Sequence, residues 1–595
     1  MCLPSLPSTF ANHNLIHCLK VSICLISALD IMEITAEKGL GDGVREIPRT
    51  HDVDSDTGKL GDNVQVLETA GSDNLHRKLS GFQVQLFAIG GAIGTSLFVQ
   101  MGSVLPKSGP AGLFIGFALW STIIWAVNEC FAEMVCYLPV QSPFIRLAGH
   151  WVDDALSFAM GWNFFLNMAL LIPFEIVAFN IMITFWTHKI PVEAIIVIII
   201  VAYSILNLVT VRLFGISEAF FSAFKVVLIF MLFLFTLLTM IGANPIQDRY
   251  GFRYWNKPGA FVAHIVPGST GKFLGIISAM VQASFTICGP EYISMVAGEA
   301  KRPRKVLPAA FKTFPFRLLF FFVGGALAIS IVIPYDDPTL AAILAGTATG
   351  AGTGAASPYI IAMQRLEISG LPHLVNALIL TSVFSSGNGL TYAATRSLYG
   401  MATEGRAPKI FTKTSKSGIP WVAAIGALSF CLLAFLQVSS SSSSVLTWIV
   451  DLITACQLLN YLGTCVTYLH FRRACDVQGV SRESFSFKAR LQPYGTYYAI
   501  FGLSLFLLLL GYDLFFPGGW SYLYFFLDYG MLAAFPIAMC VWKVVKKTNY
   551  VRPEDADLTL GSTKKEIEDY NTLAEIRDER VPAKWYKRIM RRVME

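Results

Sequence analysis

The sequence contains few charged residues: they make up 14% of its 595 residues, whereas 54% are hydrophobic. A soluble chain of this length would need charged surface on several domains, so the composition argues against that class. The apolar residues fall in long runs and not in short alternating segments, which argues against a β-barrel. The net charge of +6 is small, and we expect no nucleic-acid partner.

Patterns typical of catalytic and metal sites are also missing. The nine histidines and eleven cysteines show no metal-ligand or disulfide spacing. The stretch GGAIGT, residues 90–95, superficially resembles a dinucleotide turn but lacks the strand and the βαβ unit around it. No phosphate-binding loop and no pore-loop filter is visible. We therefore expect no enzyme activity, no cofactor, no metal and no ion channel.

The hydrophobic residues form runs of about 20 residues, the length that crosses a bilayer as a helix. Backbone amides in lipid must be paired within the segment, so these runs predict helices. We number them segments 1 to 12; they cover residues 82–103, 111–136, 154–185, 192–211, 216–242, 272–297, 310–334, 371–398, 419–437, 445–471, 494–514 and 521–545.

Basic residues are concentrated in alternate connections between the segments. The connection after segment 6 carries Lys301, Arg302, Arg304 and Lys305, and those after segments 8 and 10 are also basic. The connection 243–271 is an exception, with three basic residues on the opposite side. The positive-inside rule then predicts that both termini are cytoplasmic.

The sequence divides into four regions. Residues 1–76 form a polar tail that we expect to be disordered, 77–472 a ten-helix transport core, 473–545 a loop with segments 11 and 12, and 546–595 a cytoplasmic tail. The apolar stretch within 1–31 resembles a signal-peptide core, but cleavage would contradict the charge pattern. An extended gene model that truly starts at Met32 fits better. The tails are where trafficking or ubiquitylation machinery would act.

Helix-breaking residues interrupt segments 1 and 6. Gly90, Gly91 and Gly94 lie within segment 1, and Gly289 with Pro290 lies within segment 6, about two hundred residues later. This spacing is typical of two inverted five-helix repeats with discontinuous first helices. Half-helix ends offer N–H groups to a carboxylate and carbonyl groups to an ammonium, so they favour a zwitterionic amino acid. The alternative is that the glycines only allow close helix packing.

Several motifs resemble those of the fungal amino-acid permeases of the yeast amino-acid transporter family, in the amino acid–polyamine–organocation superfamily. They include HRKLSGFQVQLFAIGGAIGTSLFV, EMVCYLPVQSPF, GPEYISMVAGEAKRPRKVLPAAF and SSGNGLTYAATRSLYGMA. The likeness runs from about residue 75 to the C-terminal tail. It implies an all-α membrane protein with twelve transmembrane helices, a 5+5 inverted repeat with broken helices 1 and 6, and two extra helices. It also implies proton-coupled amino-acid uptake at the plasma membrane.

The resemblance also implies a substrate site. It carries over to residues of the two broken segments: Gly91, Ala92, Ile93, Gly94, Thr95, Phe285, Thr286, Ile287, Cys288, Gly289 and Glu291. Two positions depart from the family pattern, because Pro290 replaces a hydroxyl residue and Tyr292 replaces an aliphatic one. These departures put the usual substrate contacts in doubt.

Ionisable residues inside the segments need a reason, because each is costly in lipid. Lys225 in segment 5 matches a lysine that proton-coupled relatives place where sodium-coupled ones bind a cation; the alternative is that it reaches the inner surface. Glu175 matches the family's third-helix glutamate, and Glu291 lies in the second break; either carboxylate could instead cap broken backbone. The polar residues Ser385, Ser386 and Asn388 of segment 8 either face Lys225 or bond neighbouring helices.

Two functions remain open from the sequence. The first is an amino-acid importer, with the amino acid and the proton as its small partners and the bilayer around it. The alternative is a sensor of the same fold, which binds an amino acid without transporting it. The tails contain no recognisable domain, which favours transport. Cys288, Ile287 and Tyr292 favour a neutral amino acid as the substrate.

Overall fold

The computed structural model describes residues 79–580, except 188, 209–210, 345–356, 416–417 and 440–441. The predicted tail 1–76, including 1–31, and the end of the C-terminal tail therefore lie outside the described residues. Within them, regular structure is helical, and the β-type pairing is one isolated bridge between Leu79 and Ala300. Helices lie on all twelve predicted segments.

Eight segments each form one helix. Segment 2 is kinked at Gly109, where the backbone leaves helical geometry. For segments 2, 3, 4, 5, 8, 10, 11 and 12 the helices are Leu105–Tyr137, Asp154–Thr184, Val192–Leu208, Val211–Met240, Leu371–Thr403, Ser442–Val477, Tyr494–Leu509 and Tyr522–Lys546.

Two further segments are helical throughout but change pitch. In segment 7 a π-helical turn, Leu318–Val323, joins Pro303–Arg317 to Gly324–Val332. In segment 9 the 3-10 stretch Ser429–Phe435 joins Trp421–Leu428 to Leu436–Ser439. Short helices in the connections and tail are Pro143–Trp151, Arg253–Asn256, Pro338–Leu344, Pro358–Arg365 and Thr563–Arg580.

Segment 1 is broken as predicted from its glycines. The first helix, Gly81–Ala92, begins with a capping box in which Ser80 and Gln83 satisfy each other's free backbone N–H groups. It ends at Ile93, whose backbone is extended, and Gly94 is extended as well. A second helix, Thr95–Phe98, then starts and continues into the 3-10 turn Gln100–Val104.

Segment 6 is broken at Gly289, whose φ of +149° is a conformation that side-chain-bearing residues rarely adopt. The helix Gly268–Thr286 ends at Ile287, and Pro290–Met295 follows the break. Pro290 is the first residue of this second helix, where a backbone N–H would have no helical partner in any case. Proline therefore starts the second half-helix here instead of disrupting a continuous one.

Eight helices among the described residues are long and apolar enough to cross a membrane, and Val192–Leu208 and Tyr494–Leu509 are shorter apolar helices. Large apolar side chains such as Ile198, Leu237 and Phe501 are exposed on the outer faces. Such surface is unfavourable in water but is what a helix presents to lipid. The protein is therefore a multi-pass membrane protein. The count of twelve spans and the inverted repeat stay predictions.

The helix packing places both breaks at the centre. Segment 8 packs along segment 3, segment 6 against segment 2, and segment 5 against segments 1 and 8. The short helix after the second break packs against the helix before the first. The broken segments are thus surrounded by segments 3, 5, 8 and 10, whose side chains can reach the interrupted backbone.

The first part of the C-terminal tail packs on the ends of the helices, which the sequence did not predict. The Trp151 indole N–H donates to the Asp557 carbonyl at 2.9 Å. The Gln478 amide donates to the carbonyls of Pro553 and Ala556, at 2.9 and 2.8 Å. Lys564 donates to the Tyr137 hydroxyl at 2.8 Å and lies over its ring. Tail residues 551–564 therefore contact the ends of segments 2 and 10.

We expect Gln478→Ala to loosen this tail, because it removes donors to at least two tail carbonyls. A hydrogen bond contributes about 1 kcal/mol, so amide exchange over residues 551–558 should become about fivefold faster or more. Hydrogen–deuterium exchange of the purified protein measures this. The neighbouring exposed residue provides the control, Val477→Ala, which should leave exchange in the tail unchanged. Equal exchange in both variants would show that Gln478 does not hold the tail.

Candidate substrate-binding site

A cavity, which we call the central cavity, lies between the two breaks. Side chains and glycines of segments 1, 3, 5, 6, 8 and 10 line it: Phe87, Gly90, Gly91, Gly94, Ser96, Met168, Leu171, Phe174, Glu175, Glu218, Phe285, Cys288, Glu291, Tyr292, Ser385, Ser386, Gly389, Leu390 and Gln457. The wall combines glycine backbone, carboxylates and hydroxyls with apolar side chains. This is the composition expected of a small-molecule site.

The residues predicted at the first break divide into two groups. Gly91 and Gly94 line the cavity, so no side chain separates their backbone from it. Ile93 and Thr95 are fully buried and are not among the lining residues. The Thr95 hydroxyl donates to the Glu175 carboxylate, which ties segment 1 to segment 3. The side chain of Ala92 lies outside the described part of the chain.

The predicted residues of the second break divide in the same way. Phe285, Cys288 and Glu291 line the cavity, and the Phe285 ring meets that of Phe174 edge-on, with 5.5 Å between centroids. Thr286 and Ile287 are buried but do not line it. The Thr286 hydroxyl donates to the Gln282 carbonyl at 2.9 Å, within its own helix.

Side chains satisfy backbone groups at the second break. The Gly289 N–H donates to both carboxylate oxygens of Glu291, each at 3.1 Å, so Glu291 caps the broken backbone. The Tyr461 hydroxyl donates to the same carboxylate at 2.8 Å. The Gln457 amide donates to the Ile287 carbonyl at 3.3 Å. Glu291 therefore caps the broken backbone, which is the alternative considered for it, and it also lines the cavity.

Lys225 lies in the protein interior and does not reach a surface. Its side chain is fully buried, and Nζ donates to the Gly90 carbonyl at 2.7 Å and to the Ser386 hydroxyl at 3.1 Å. The ammonium thus joins segment 5 to the first break and to segment 8. Glu175 and Glu218 are the carboxylates that interact with it electrostatically. An opposite charge is needed here, because an unpaired charge in the interior is strongly unfavourable.

The three polar residues of segment 8 have different partners. Ser386 binds Lys225, whereas the Ser385 hydroxyl donates to Glu218. Asn388 accepts from the Asn207 amide of segment 4 at 2.9 Å. Asn388 therefore follows the alternative of bonding a neighbouring helix, and the two serines face the ionisable groups of segment 5.

Glu218 lines the cavity but is missing from the residues predicted above. It is buried, and the Ser385 hydroxyl lies 3.1 and 3.2 Å from its two carboxylate oxygens. The sequence could have indicated Glu218 through its position seven residues before Lys225, because residues seven apart share a face of a helix. The pattern SEAFFSAFK, residues 217–225, contains that spacing.

Aromatic rings close the cavity on the side of the first helix's N-terminus. Phe87 lies 6.2–6.3 Å from the ring centroids of Phe214, Tyr292 and Tyr392, and Phe214 stacks on Tyr392 at 4.2 Å. Beyond them the Tyr392 hydroxyl donates to Glu299 at 2.8 Å.

Further contacts on the same side of the cavity extend to Leu79, the first described residue. Glu299 also pairs with Arg396 at 3.7 Å. Backbone hydrogen bonds of 2.9 and 2.8 Å join Leu79 to Glu299 and Lys301. The ends of segments 1, 6 and 8 are therefore held together on this side of the cavity.

Two discontinuous helices that meet at a small amphipathic cavity are typical of membrane transporters of small solutes. Residues 83–552 match the family model described as amino acid permease, and the chain belongs to this family.

Curated relatives agree with this assignment. The chain is 42% identical over 506 residues to the general amino acid permease AGP2 of Saccharomyces cerevisiae, which covers 83% of each protein. It is 39% identical to the proline-specific permease of Emericella nidulans, over 86% of this chain and 92% of the relative. It is 33% identical to the dicarboxylic amino acid permease of Saccharomyces cerevisiae, over 83% and 81%.

We expect Gly91→Ala to impair uptake, because the added Cβ would lie 2.7 Å from ring carbons of Tyr292. Overpacking of this kind costs about 1–3 kcal/mol. Alanine at 292 has neither of these carbons, so Gly91→Ala/Tyr292→Ala should recover uptake relative to Gly91→Ala. Uptake of a labelled amino-acid mixture by permease-deficient cells, normalised to surface expression, measures both.

Gly530→Ala in segment 12 is the matched control, since a Cβ there meets nothing within 4 Å. Parental uptake by a well-expressed Gly91→Ala variant would contradict a tight packing role for this glycine.

Proposed function

We propose that this protein is a secondary active transporter that imports amino acids across the plasma membrane, coupled to protons, with both termini cytoplasmic. One observation carries the proposal: the fully buried ammonium of Lys225 bonds the first break directly at Gly90. The breaks would hold the amino and carboxyl groups of the substrate, and Lys225 would link their geometry to a proton. Membership of the amino acid permease family supports the substrate class.

We further propose a neutral side chain for the substrate. Phe174, Phe285, Met168 and Leu171 form an apolar part of the wall. The carboxylates Glu175, Glu218 and Glu291 all have donors within the protein. An acidic side chain would meet these three carboxylates, and a cationic one would have to displace their donors. The relatives named above are described as general, proline-specific and dicarboxylic, so their names do not decide the substrate.

The substrate class is tested by uptake of single labelled amino acids in permease-deficient cells. We expect saturable uptake of one or more neutral amino acids, which a protonophore abolishes. Uptake confined to acidic or cationic amino acids would contradict the neutral cavity. Binding to the purified protein without accumulation in cells or vesicles would instead indicate the sensor.

In this proposal, coupling depends on the charge of Lys225. Charge-assisted hydrogen bonds are about twice as strong as neutral ones, so a protonated Lys225 holds segments 1, 5 and 8 together more firmly. Loss of the proton would weaken the bonds to Gly90 and Ser386 and favour a different arrangement of the first break. A proton that moves inward gains about 2.3 kcal/mol per 100 mV of inside-negative potential. Each arrangement must bind the proton and substrate differently, or no coupling follows.

We expect Lys225→Met to abolish accumulation against a gradient but to retain exchange of internal for external amino acid. Methionine fills similar space without a charge, and exchange does not require return of the empty carrier. In proteoliposomes with an imposed pH gradient, the accumulation ratio should fall to about 1. The control is Lys312→Met, which removes an exposed lysine of segment 7 and should leave accumulation unchanged. Accumulation that follows the pH gradient as in the parent would show that Lys225 is structural.

A further inference from the structure

A second cavity, which we call the inner cavity, lies beside the N-terminal ends of segments 1 and 5. Its lining residues are Leu79, Gln83, Leu86, Phe87, Phe214, Gly215, Glu218, Val296, Glu299 and Tyr392. Two of them, Phe87 and Glu218, also line the central cavity. The Phe87 ring and the Glu218 carboxylate therefore lie between the two cavities in the described structure. Of the shared pair, only Glu218 can carry a proton.

Glu218 is held between the two cavities by contacts with segments 8 and 1. The Ser385 hydroxyl of segment 8 donates to it, as described above. A Cβ on Gly90 of segment 1 would lie 2.8 Å from Glu218 Oε1, and one on Gly389 would lie 4.0 Å away. Small residues in two neighbouring helices thus leave the space that the carboxylate occupies. Any larger residue at 90 would displace Glu218 or Ser222.

Glu218 and Lys225 share one face of segment 5. They are seven residues apart, which is about two turns or 10.5 Å along the helix axis. The two side chains interact electrostatically, and both approach Gly90. Long side chains on a helix lean toward its N-terminus, so the lysine chain spans part of this separation.

Of the ionisable side chains around Glu218 in the described structure, no other lines both cavities. Tyr203 of segment 4, Tyr292 of segment 6 and Glu175 of segment 3 face this region. Glu175 lines only the central cavity of the two, where it accepts from Thr95. Glu299 lines only the inner cavity, where it is bound to Tyr392 and Arg396.

We propose that Glu218 is the inner proton station of the transport cycle, which receives the coupling proton from Lys225 and releases it into the inner cavity. The inference rests on the proposed proton coupling through Lys225. The ammonium of Lys225 loses one proton and becomes a neutral amine, and the carboxylate of Glu218 gains that proton and becomes a carboxylic acid. The acid then gives the proton to water in the inner cavity, which is cytoplasmic in the proposed orientation.

The test uses the full-length protein in proteoliposomes with pyranine trapped inside, and an equimolar mixture of the twenty common amino acids outside. Pyranine reports proton arrival whichever amino acid is carried. Internal pH is varied from 6 to 8 at fixed external pH, and then the reverse. A labelled version of the same mixture measures exchange.

For Glu218→Gln we expect proton arrival to slow by a factor on the order of 10², as on loss of a proton-transfer group. The dependence of proton arrival on internal pH should flatten, while its dependence on external pH stays near the parental one; each rate is normalised to exchange in the same variant. Glu218→Asp keeps a titratable group and should retain dependence on internal pH. Ser385→Ala removes a hydrogen bond but keeps the carboxylate, so it should also retain that dependence. Glu193→Gln, an exposed carboxylate, is the control.

Parental dependence on internal pH in Glu218→Gln would overturn the proposal. Equal flattening in Ser385→Ala would also overturn it, because a structural hydrogen-bond network would then explain both. If the parent protein itself showed neither accumulation nor proton arrival, the proposed function would fail, and this result is distinct from failure of the role of Glu218. If Glu218→Gln does not fold, Glu218→Asp decides: loss of dependence on internal pH in a well-folded Glu218→Asp contradicts the proposal.

Discussion

Hydrocarbon offers no hydrogen-bond partners. Where a helix breaks inside a membrane, the backbone N–H and C=O groups that lose their helical partners must therefore find others in the protein or in a water-filled cavity. The arrangement of this molecule follows from that constraint at two places. The Gly90 carbonyl before the first break accepts from Lys225, and the Ile287 carbonyl before the second accepts from Gln457. The Gly289 N–H is paired with Glu291. Glu291 and Gln457, two of the side chains that line the cavity, therefore also pair broken backbone, as Lys225 does at Gly90.

The same pairing connects helices that are distant in the sequence. Lys225 brings segment 5 against segments 1 and 8, and Tyr461 with Gln457 brings segment 10 against segment 6. Because each contact crosses from one segment to another, a change of charge or geometry at the cavity alters the relative positions of several helices. The proposed transport cycle requires this property, since the substrate must act on the whole arrangement of helices and not on a single pocket.

Much of the helical architecture could be predicted from the sequence, because apolar runs and their breakers act locally. Gly289-Pro290 predicts a break since the two residues disfavour a continuous helix wherever it packs. The partners of each side chain depend on which helices are neighbours, which one sequence does not show. Asn388 bonds Asn207 of segment 4, and Thr286 bonds within its own helix. Glu218 was missed because it lies close to the start of segment 5, where a carboxylate near the helix end needs no special reason. The contact of the tail with Trp151 and Gln478 is made through tail backbone carbonyls, which no side-chain pattern in the sequence marks.

The acceptor for Lys225 in segment 1 is a main-chain oxygen, and this has an evolutionary consequence. A substitution at position 90 changes packing but does not delete the Gly90 carbonyl, so the contact can be lost through the lysine or by movement of the helix. Phe285 and Cys288, in contrast, shape the cavity wall through their side chains, which single substitutions replace. Descendants of one ancestral permease could thus diverge in what they carry while they inherit the same link between the lysine and the first break.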